Sequence, residues 1–452
     1  MSESTPAAAD ALSLLEDVVR QAQAKGASAA DALMVDGTSL SVSYRQGELE
    51  DLKRAESKEL GLRVFVGQRQ AVVSTGDLQR DALEAVVERA VAMAKAVPED
   101  PHCGLADPDQ LAKTLPEIDG YDDYEPSEEQ LKTLALSCED AARAVEGVTN
   151  SDGGEAGWGR SLVAGVGSNG FAHAYWNSHS SFGVSVIAGS SADGMESDYD
   201  YSTAVFFDDL KDAEEIGRSA GQRAVRRLGA ERLKTGKLPI VFEPRMARGL
   251  VGSVLGGING SSIVRGTSFL KDSLGETVFG ENVTIREDPH RPRGPRSRPC
   301  DAEGLANKAR ALIDKGQITT WLLDLRSARH LGMESTGHAG RGISSQPSPT
   351  VTNVWLEPGT VSPAALMADI EDGLYLTDLF GQGLNMITGD YSRGAAGFRI
   401  QNGEITTPVN EITIAGNLKD MLNNMTPADD LEMRWGTDAP TLRIDGMTIA
   451  GA

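Results

Sequence analysis

The sequence has few aromatic residues, few cysteines and a shortage of positive charge. Aromatic residues make up only 5% of the 452 residues, so the core must be built mainly from Val, Leu, Ile and Ala. Lysine and arginine number 43 against 66 acidic residues, giving a net charge of −23. This charge argues against binding to the phosphate backbone of a nucleic acid, because like charges repel. The three cysteines (Cys103, Cys138 and Cys300) lie far apart and form no C-x-x-C pair, which indicates a reducing compartment.

Long apolar runs are also absent from the sequence. No stretch approaches the roughly 18 consecutive apolar residues of a membrane-spanning helix. The N-terminal string MSESTPAAAD has no basic segment ahead of an apolar one, so it predicts no secretory signal. Because 40% of the residues are hydrophobic and 24% are charged, the composition is that of a globular protein. We therefore expect a cytoplasmic protein of several domains.

The order of predicted elements indicates an α+β fold with a repeated unit. Two N-terminal subdomains each read as a helix, several strands and a second helix, and the rest reads as a β-rich domain with a few helices. The strings Gly61–Gly67 and Gly183–Gly189 both match G-[LV]-x-V-[FI]-[VA]-G, which favours a duplication. The predicted boundaries are 1–97 for the first subdomain, 98–126 for a proline-rich acidic linker or surface connection, 127–230 for the second subdomain and 236–452 for the C-terminal domain.

Local signals predict particular caps, helices and turns. Thr5 is placed to cap a first helix that begins at Pro6, and Ser127 with Gln130 predicts a capping box. A buried strand at Leu238–Phe242 precedes a helix of small residues through Gly249–Gly257, while Asn402-Gly403 and Asp445-Gly446 predict hairpin turns.

None of the six histidines is followed by glutamate, so no H-E-x-x-H or H-E-x-x-x-H zinc helix is present. His330, Glu334 and His338 have the spacing i, i+4, i+8 and would share one face of a continuous helix. Gly332 and Gly337 argue against that helix, because each glycine costs about 1 kcal/mol relative to alanine. Histidines at a helix end or in a loop are the favoured interpretation, and a metal site is the alternative.

Two further segments are unusual for this chain. Arg291–Arg298 contains four arginines in eight residues, which would suit an acidic peptide or partner, although a solvated proline-rich loop is the simpler interpretation. Gly381–Gly397 contains five glycines. Such a density allows close backbone approach by an extended peptide, and it equally allows tightly packed, bulged β-structure.

Ordered strings in the C-terminal half resemble a known family. TGDYSRGAAGF at 388–398, EITIAGNLKD at 411–420, SFLKDSLG at 268–275 and STGHAG at 335–340 are similar to the PmbA (TldE) branch of the TldD/PmbA family. The resemblance implies two N-terminal subdomains followed by a β-rich domain. It also implies a TldD-like partner that carries an H-E-x-x-x-H zinc site, so the zinc is expected in that partner. Such pairs are expected to cut unfolded or small peptides, including antibiotic precursors and antitoxins, and the family has also been called a modulator of DNA gyrase.

The resemblance fails at the catalytic positions. In an ungapped comparison anchored on Arg265–Ser268, the three catalytic positions of a TldD-like chain fall on Val251, Gly252 and Gly256. None of these side chains can bind zinc or transfer a proton. We therefore expect no catalytic residue, metal or cofactor in this chain, and no peptidase activity from it alone.

Three hypotheses follow for the function. In the first, the chain pairs with a TldD-like zinc peptidase and holds an extended peptide through Asp390, Tyr391 and Arg393, with a homodimer formed when the partner is absent. In the second, it is a stand-alone metallopeptidase that uses His330, Glu334 and His338. In the third, it is a regulatory binding protein without proteolytic activity, as the gyrase name suggests.

Overall fold

The N-terminal half is built on one antiparallel sheet of six strands. The computed structural model describes residues 5–191 and 194–451. The elements of this half are α1 (Pro6–Ala24), β1 (Ala29–Arg45), β2 (Glu48–Val66), β3 (Arg69–Thr75), α2 (Arg80–Ala96), α3 (Glu128–Arg143), β4 (Val148–Gly167), β5 (Ala172–Ser190), β6 (Gly194–Ala204) and α4 (Ala213–Arg226). The strand order is β3-β2-β1-β4-β5-β6. Because β1 pairs with β4 over most of its length, the two predicted units share one continuous sheet.

The helices of this half begin where the sequence predicts. Thr5 accepts a hydrogen bond from the Ala8 N–H ahead of α1, and Pro6 occupies its first position. Ser127 and Gln130 form both bonds of the predicted capping box at α3. These caps satisfy backbone N–H groups that have no acceptor inside the helix.

All four helices cover one face of the sheet. Successive strand residues point to opposite faces, and the apolar residues of β1 that meet the helices are even-numbered. Ala30, Ala32 and Met34 pack with α1 and α2, while Leu40 and Val42 pack with α3 and α4. The odd-numbered residues of β1 therefore point to the opposite face, away from the helices.

Residues 98–126 form no helix or strand, and their first part lies along the C-terminal domain. The Arg329 side chain donates hydrogen bonds to the carbonyls of Gly104 and Leu105, and the Ala112 N–H donates to the Gly304 carbonyl. Residues 104–112 are therefore held against the C-terminal domain, whereas residues 120–124 hydrogen bond to β4 and β5.

The C-terminal half is rich in short strands. Its strands are β7 (Gly236–Phe242), β8 (Ile285–Asp288), β9 (Arg310–Asp314), β10 (Gln317–Ile318), β11 (Ala339–Gly340), β12 (Ser348–Pro349), β13 (Asn353–Leu356), β14 (Asp372–Phe380), β15 (Asp390–Gln401), β16 (Glu404–Asn417), β17 (Met425–Pro427), β18 (Thr437–Asp438) and β19 (Leu442–Ala450). Its helices are α5 (Pro244–Gly257), α6 (Gly260–Val264), α7 (Leu325–Leu331), α8 (Pro363–Met367) and α9 (Leu418–Asn423). The predicted α+β class with a β-rich C-terminal domain is confirmed.

Five of these strands close into a barrel. These strands follow the order β16-β15-β14-β7-β19, and β16 also pairs directly with β19. This last pairing joins the two ends of the sheet and closes the barrel. A second sheet has the order β10-β9-β8-β13-β18. The largest buried apolar cluster lies in this half and includes residues from β7, α5 and β14.

One of the two predicted hairpin turns is wrong. Asn402 and Gly403 do form the turn between β15 and β16, with the positive φ angles of 51° and 83° that such a turn requires. Asp445 and Gly446 instead lie inside β19, where the pairing with β7 shifts register between Ile444 and Met447. The same dipeptide chemistry that makes a turn also makes a β-bulge. Within the described residues, no helix combines the length and the apolar character needed to cross a bilayer.

Candidate functional site

Helix α5 buries one face and leaves the other face open. It follows β7, begins with Pro244 at its first position, and buries five apolar side chains in the C-terminal core, namely Ala247, Leu250, Val251, Val254 and Leu255. After Arg248, its other face is made of glycine and serine. A Cβ atom added at Gly249 or Gly252 would meet no atom within 4 Å, so this part of the helix backbone is accessible to another chain.

The three positions on which the ungapped comparison places the catalytic residues of a TldD-like chain all lie on α5. Val251 is buried among apolar neighbours, whereas Gly252 and Gly256 have no side chain. None of the three offers a nitrogen, oxygen or sulfur ligand, so these positions do not fit a zinc ion. In the described residues, 5–191 and 194–451, no three His, Cys, Asp or Glu side chains are grouped closely enough to hold a metal ion.

A loop at 381–389, between β14 and β15, lies beside the open face of α5. A Cβ atom built at Gly256 would lie 3.3 Å from Cε of Met386 in this loop. Ile387, the next residue, is exposed by 61%, and Phe380 at the end of β14 is exposed by 44%. We call the combination of Gly249, Gly252, Gly256 and Met386 the glycine surface.

Backbone hydrogen bonds hold this loop in place. The Ser392 N–H donates to the Gly383 carbonyl at 2.6 Å, and the Phe269 N–H donates to the Met386 carbonyl at 2.7 Å. A Cβ atom added at Gly383 would lie only 1.4 Å from the Ser392 carbonyl oxygen. Glycine is therefore required at this position, because only glycine lets the two backbones approach so closely.

Of the three residues predicted to contact a peptide, Tyr391 and Arg393 lie side by side, whereas Asp390 lies apart from Arg393. Asp390 is exposed and accepts hydrogen bonds from the Thr388 hydroxyl and the Asn417 amide, which hold the pKa of its carboxyl below the usual value. Tyr391 is buried in the core, and its burial raises the pKa of the phenol. Arg393 is half-buried and donates a hydrogen bond to the Leu379 carbonyl at 3.2 Å. Because alternate residues of a strand face opposite sides, Asp390 and Arg393 do not come together.

The histidine triad of the alternative hypothesis does not share a helix face. Helix α7 ends at Leu331, and Gly332 takes a left-handed φ of 65°. His330 is exposed and its ring lies 4.6 Å from that of His102. His338 is buried, with Nε2 2.6 Å from Oε2 of Glu287. The continuous helix that would group these residues is thus wrong, since the glycine ends the helix before Glu334.

The Glu287–His338 pair gives a pH-dependent prediction. Burial alone would raise the pKa of the Glu287 carboxyl, but hydrogen bonds from His338 and Thr352 outweigh it and hold the pKa below 4.5. A lowered carboxyl pKa contributes stability above pH 4.5, and this contribution is lost as the pH falls through the lower, folded-state pKa. Glu287→Gln should lower the free energy of unfolding by about 2 kcal/mol at pH 7, and by less below pH 4.5. Urea unfolding at several pH values measures this.

Glu334→Gln is the matched control, because Glu334 is exposed and lies beyond the end of α7. It should leave stability unchanged at every pH. An equal loss for Glu287→Gln at pH 3 and pH 7 would contradict the assigned pKa direction.

Most arginines of the 291–298 segment contact their own chain. Arg293 pairs with Asp119 and Asp209, and Arg296 donates to the Thr437 hydroxyl. Arg298 donates to the Ala339 carbonyl. The loop of the simpler interpretation is therefore held against the rest of the chain by ion pairs and hydrogen bonds.

The contact between Gly256 and Met386 could not be found from the sequence. One local signal was available, since Gly249, Gly252 and Gly256 recur at i, i+3 and i+7 and so line one helix face. Which loop would cover that face depends on the closure of the barrel, to which β14 and β15 belong.

The fold, with its single N-terminal sheet and its C-terminal barrel, is shared with solved proteins. A crystal structure of a proposed modulator of DNA gyrase from Bacteroides thetaiotaomicron has a TM-score of 0.90, with 26% identity, 97% of this chain and 98% of that chain covered. The crystal structure of TldE from Thermococcus kodakarensis has a TM-score of 0.82 with 20% identity, covering 97% of this chain and all of that chain, and shows likeness of fold.

Sequence comparison defines the family. Models of the PmbA/TldA metallopeptidase domain 1, central domain and C-terminal domain match residues 30–94, 121–228 and 235–451. The chain is 38% identical to Metalloprotease PmbA of Escherichia coli O157:H7, with 92% of this chain and 90% of the relative covered. It is 37% identical to the Metalloprotease PmbA homolog of Haemophilus influenzae, with 94% and 93% covered. The chain belongs to the PmbA/TldA metallopeptidase family, as its resemblance predicts.

Proposed function

We propose that this chain is a cytoplasmic subunit of a two-chain peptidase, and that it contributes no zinc ligand of its own. Its partner is a TldD-like chain that holds the zinc, and its substrates are unfolded or small peptides such as antibiotic precursors and antitoxins. One observation supports this proposal above the others. A chain from a metallopeptidase family has Val251, Gly252 and Gly256 on α5, at the positions where the ungapped comparison places the catalytic residues of a TldD-like chain.

The role proposed for this chain is to enclose and position an extended peptide. The glycine surface suits this role, because helix backbone without side chains lets a peptide approach closely. Met386 supplies a flexible apolar contact at its edge, and the exposed Ile387 and Phe380 extend that apolar character. An exposed apolar area of this kind is typical of a surface that contacts another chain.

A peptidase assay with three samples tests the proposal. The samples are this chain alone, a TldD-like chain from the same organism alone, and an equimolar mixture. We expect the mixture to cut a disordered peptide and this chain alone to be inactive. Zinc-dependent turnover by this chain alone would favour a stand-alone metallopeptidase, and an inactive mixture together with copurification of a gyrase subunit would favour a regulatory protein.

Arginine 393 gives a prediction within this proposal. Its side chain donates to the Leu379 carbonyl and lies beside the Tyr391 phenol, so it joins β14 to β15 at the base of the loop 381–389. Arg393→Ala should lower the turnover of the mixed pair about tenfold, because removing a charged hydrogen bond of about 1.5 kcal/mol loosens the loop. Arg399→Ala is the control, since Arg399 lies farther along β15 and pairs with Asp372. Unchanged turnover for Arg393→Ala would remove this residue from the site.

A further inference from the structure

A cavity lies between the sheet face that the helices leave uncovered and the C-terminal domain. Its volume is about 200 Å³. The sheet contributes odd-numbered residues, among them Leu33, Val35 and Val163, and the turn before β5 contributes Phe171. The C-terminal domain contributes Arg298 and Arg341 from two separate loops. The cavity thus has apolar walls on one side and two cations on the other.

In both arginines, the guanidinium edge formed by Nε and Nη2 is left free by the described residues. The side chain of Arg341 is 97% buried, and its Nη1–H group donates a hydrogen bond to Asp31 at 2.7 Å. The Nη1–H group of Arg298 donates a hydrogen bond to the Ala339 carbonyl at 3.1 Å. Nε and Nη2 of both residues are buried and have no hydrogen-bond partner among residues 5–191 and 194–451. Nε–H and Nη2–H point in parallel from one edge of a guanidinium, and this fork matches the two oxygens of a carboxylate.

Unpaired buried donors are costly, so two such forks beside one cavity need an explanation. Leaving one buried polar group unsatisfied costs about 1–3 kcal/mol, and more for a charged group. A bound anion that accepts from these N–H groups would remove the cost.

The acids around the cavity have partners other than the free guanidinium edges of Arg298 and Arg341. Asp31 is shared between Arg63 and Arg341, and Asp301 accepts three backbone N–H bonds, from Glu303, Leu305 and Ala339. Glu303 lies 3.8 Å from Nη1 of Arg63, and burial raises the pKa of its carboxyl to about 8. None of these three acids accepts a hydrogen bond from Nε or Nη2 of Arg298 or Arg341.

We propose that this cavity binds a small monocarboxylate with an apolar body. The carboxylate accepts from the forks of Arg298 and Arg341, and the apolar body lies against Leu33, Val163 and Phe171. The size agrees, since a cavity of about 150 Å³ holds benzene and the remaining space suits a carboxylate. A phosphate would bring a second negative charge close to the buried Asp31 carboxylate, and it would leave the apolar walls without a partner.

Such a carboxylate has two sources, a free small acid or the C-terminal residue of a short peptide. The chemistry at the arginines is the same for both. The site lies at the junction of the N-terminal sheet and the C-terminal domain, and it is independent of the pairing proposed above, because all of its lining residues belong to this chain.

Isothermal titration calorimetry of the full chain with defined probes tests the assignment. The probes are 3-phenylpropionate, its neutral amide, inorganic phosphate, and the peptide Gly-Gly-Phe with a free or an amidated C-terminus. We expect saturable binding of 3-phenylpropionate, with at least about tenfold weaker binding of the amide and of phosphate. Binding of Gly-Gly-Phe tighter than that of 3-phenylpropionate identifies a peptide terminus as the source, and weaker binding identifies a free acid.

Two variants connect the binding to this cavity. Arg298→Gln removes one fork and leaves the Arg63–Asp31–Arg341 group intact, so it should weaken binding of 3-phenylpropionate about tenfold or more. Val163→Phe fills the cavity with a ring and should abolish binding without a change of charge. Arg20→Gln, on the exposed surface of α1, removes the same charge elsewhere and should have no effect.

Three results would overturn the proposal. They are no saturable binding of either carboxylate probe, equal binding of the acid and its amide, and unchanged binding in both cavity variants. Thermal unfolding of each variant confirms that a loss of binding does not reflect a loss of the fold.

Discussion

Replacing Gly252 with tryptophan is expected to abolish peptide cleavage by the mixed pair and to leave this chain folded. A Cβ atom at Gly252 meets no atom within 4 Å, so the indole has room outside the helix and the core beneath α5 is undisturbed. In the proposed complex that same room is taken by the peptide, and a ring of this size would exclude it. We expect turnover to fall at least about a hundredfold, a barrier increase of about 2.7 kcal/mol.

Gly252→Ala is the matched control at the same position. Alanine is favoured over glycine inside a helix by about 0.5–1 kcal/mol, so this variant should be slightly more stable than the natural chain and nearly as active in the mixture. Circular dichroism and urea unfolding of the isolated variants establish that both are folded. Full turnover by a folded Gly252→Trp variant would show that no peptide passes over the glycine surface.

The second large effect is expected at Gly383, where the change acts on stability. Gly383→Ala places a Cβ atom 1.4 Å from the Ser392 carbonyl oxygen, so the loop 381–389 must separate from β15. Both the Ser392–Gly383 hydrogen bond and the tight packing at the base of the loop are then lost. We expect the free energy of unfolding to fall by about 3 kcal/mol, measured by urea unfolding.

Gly252→Ala again serves as the reference, because it makes the same chemical change at an open position. The two variants should differ in sign, with Gly383→Ala destabilising and Gly252→Ala slightly stabilising. A Gly383→Ala variant as stable as the natural chain would mean that the loop does not take the conformation described.

The sequence predicts the elements of the N-terminal half better than their assembly. Local signals such as Thr5, Ser127 and Gln130 act within a few residues, and they correctly locate the starts of α1 and α3. That β1 pairs with β4 is a contact between residues more than a hundred positions apart, and no local pattern encodes it. The order of the elements was therefore visible in the sequence, whereas the single sheet that joins the two predicted units was not.

The candidate site shows the same division between local and distant information. Comparison of strings identified Val251, Gly252 and Gly256, and composition identified the segment Gly381–Gly397. Their contact through Met386 arises only when the barrel closes.

Two further predictions differ from the structure, one because of strand alternation and one because Asp-Gly serves both turns and bulges. The opposite orientation of Asp390 and Arg393 follows from their odd spacing once the strand is known. Asp445-Gly446 gave the wrong prediction because positive φ at glycine serves a bulge as well as a turn. The unused forks of Arg298 and Arg341 depend on side-chain geometry between two domains, for which the sequence contains no signal.

In the proposed function, this chain positions peptides for a zinc ion that another chain binds. Zinc content measured by inductively coupled plasma mass spectrometry, on this chain, on the TldD-like chain and on their purified complex, tests it most directly. We predict substoichiometric zinc in this chain alone, and about one zinc per pair in the complex, with the same amount in the TldD-like chain. Stoichiometric zinc in this chain alone, lost together with peptidase activity on chelation, would contradict the claim.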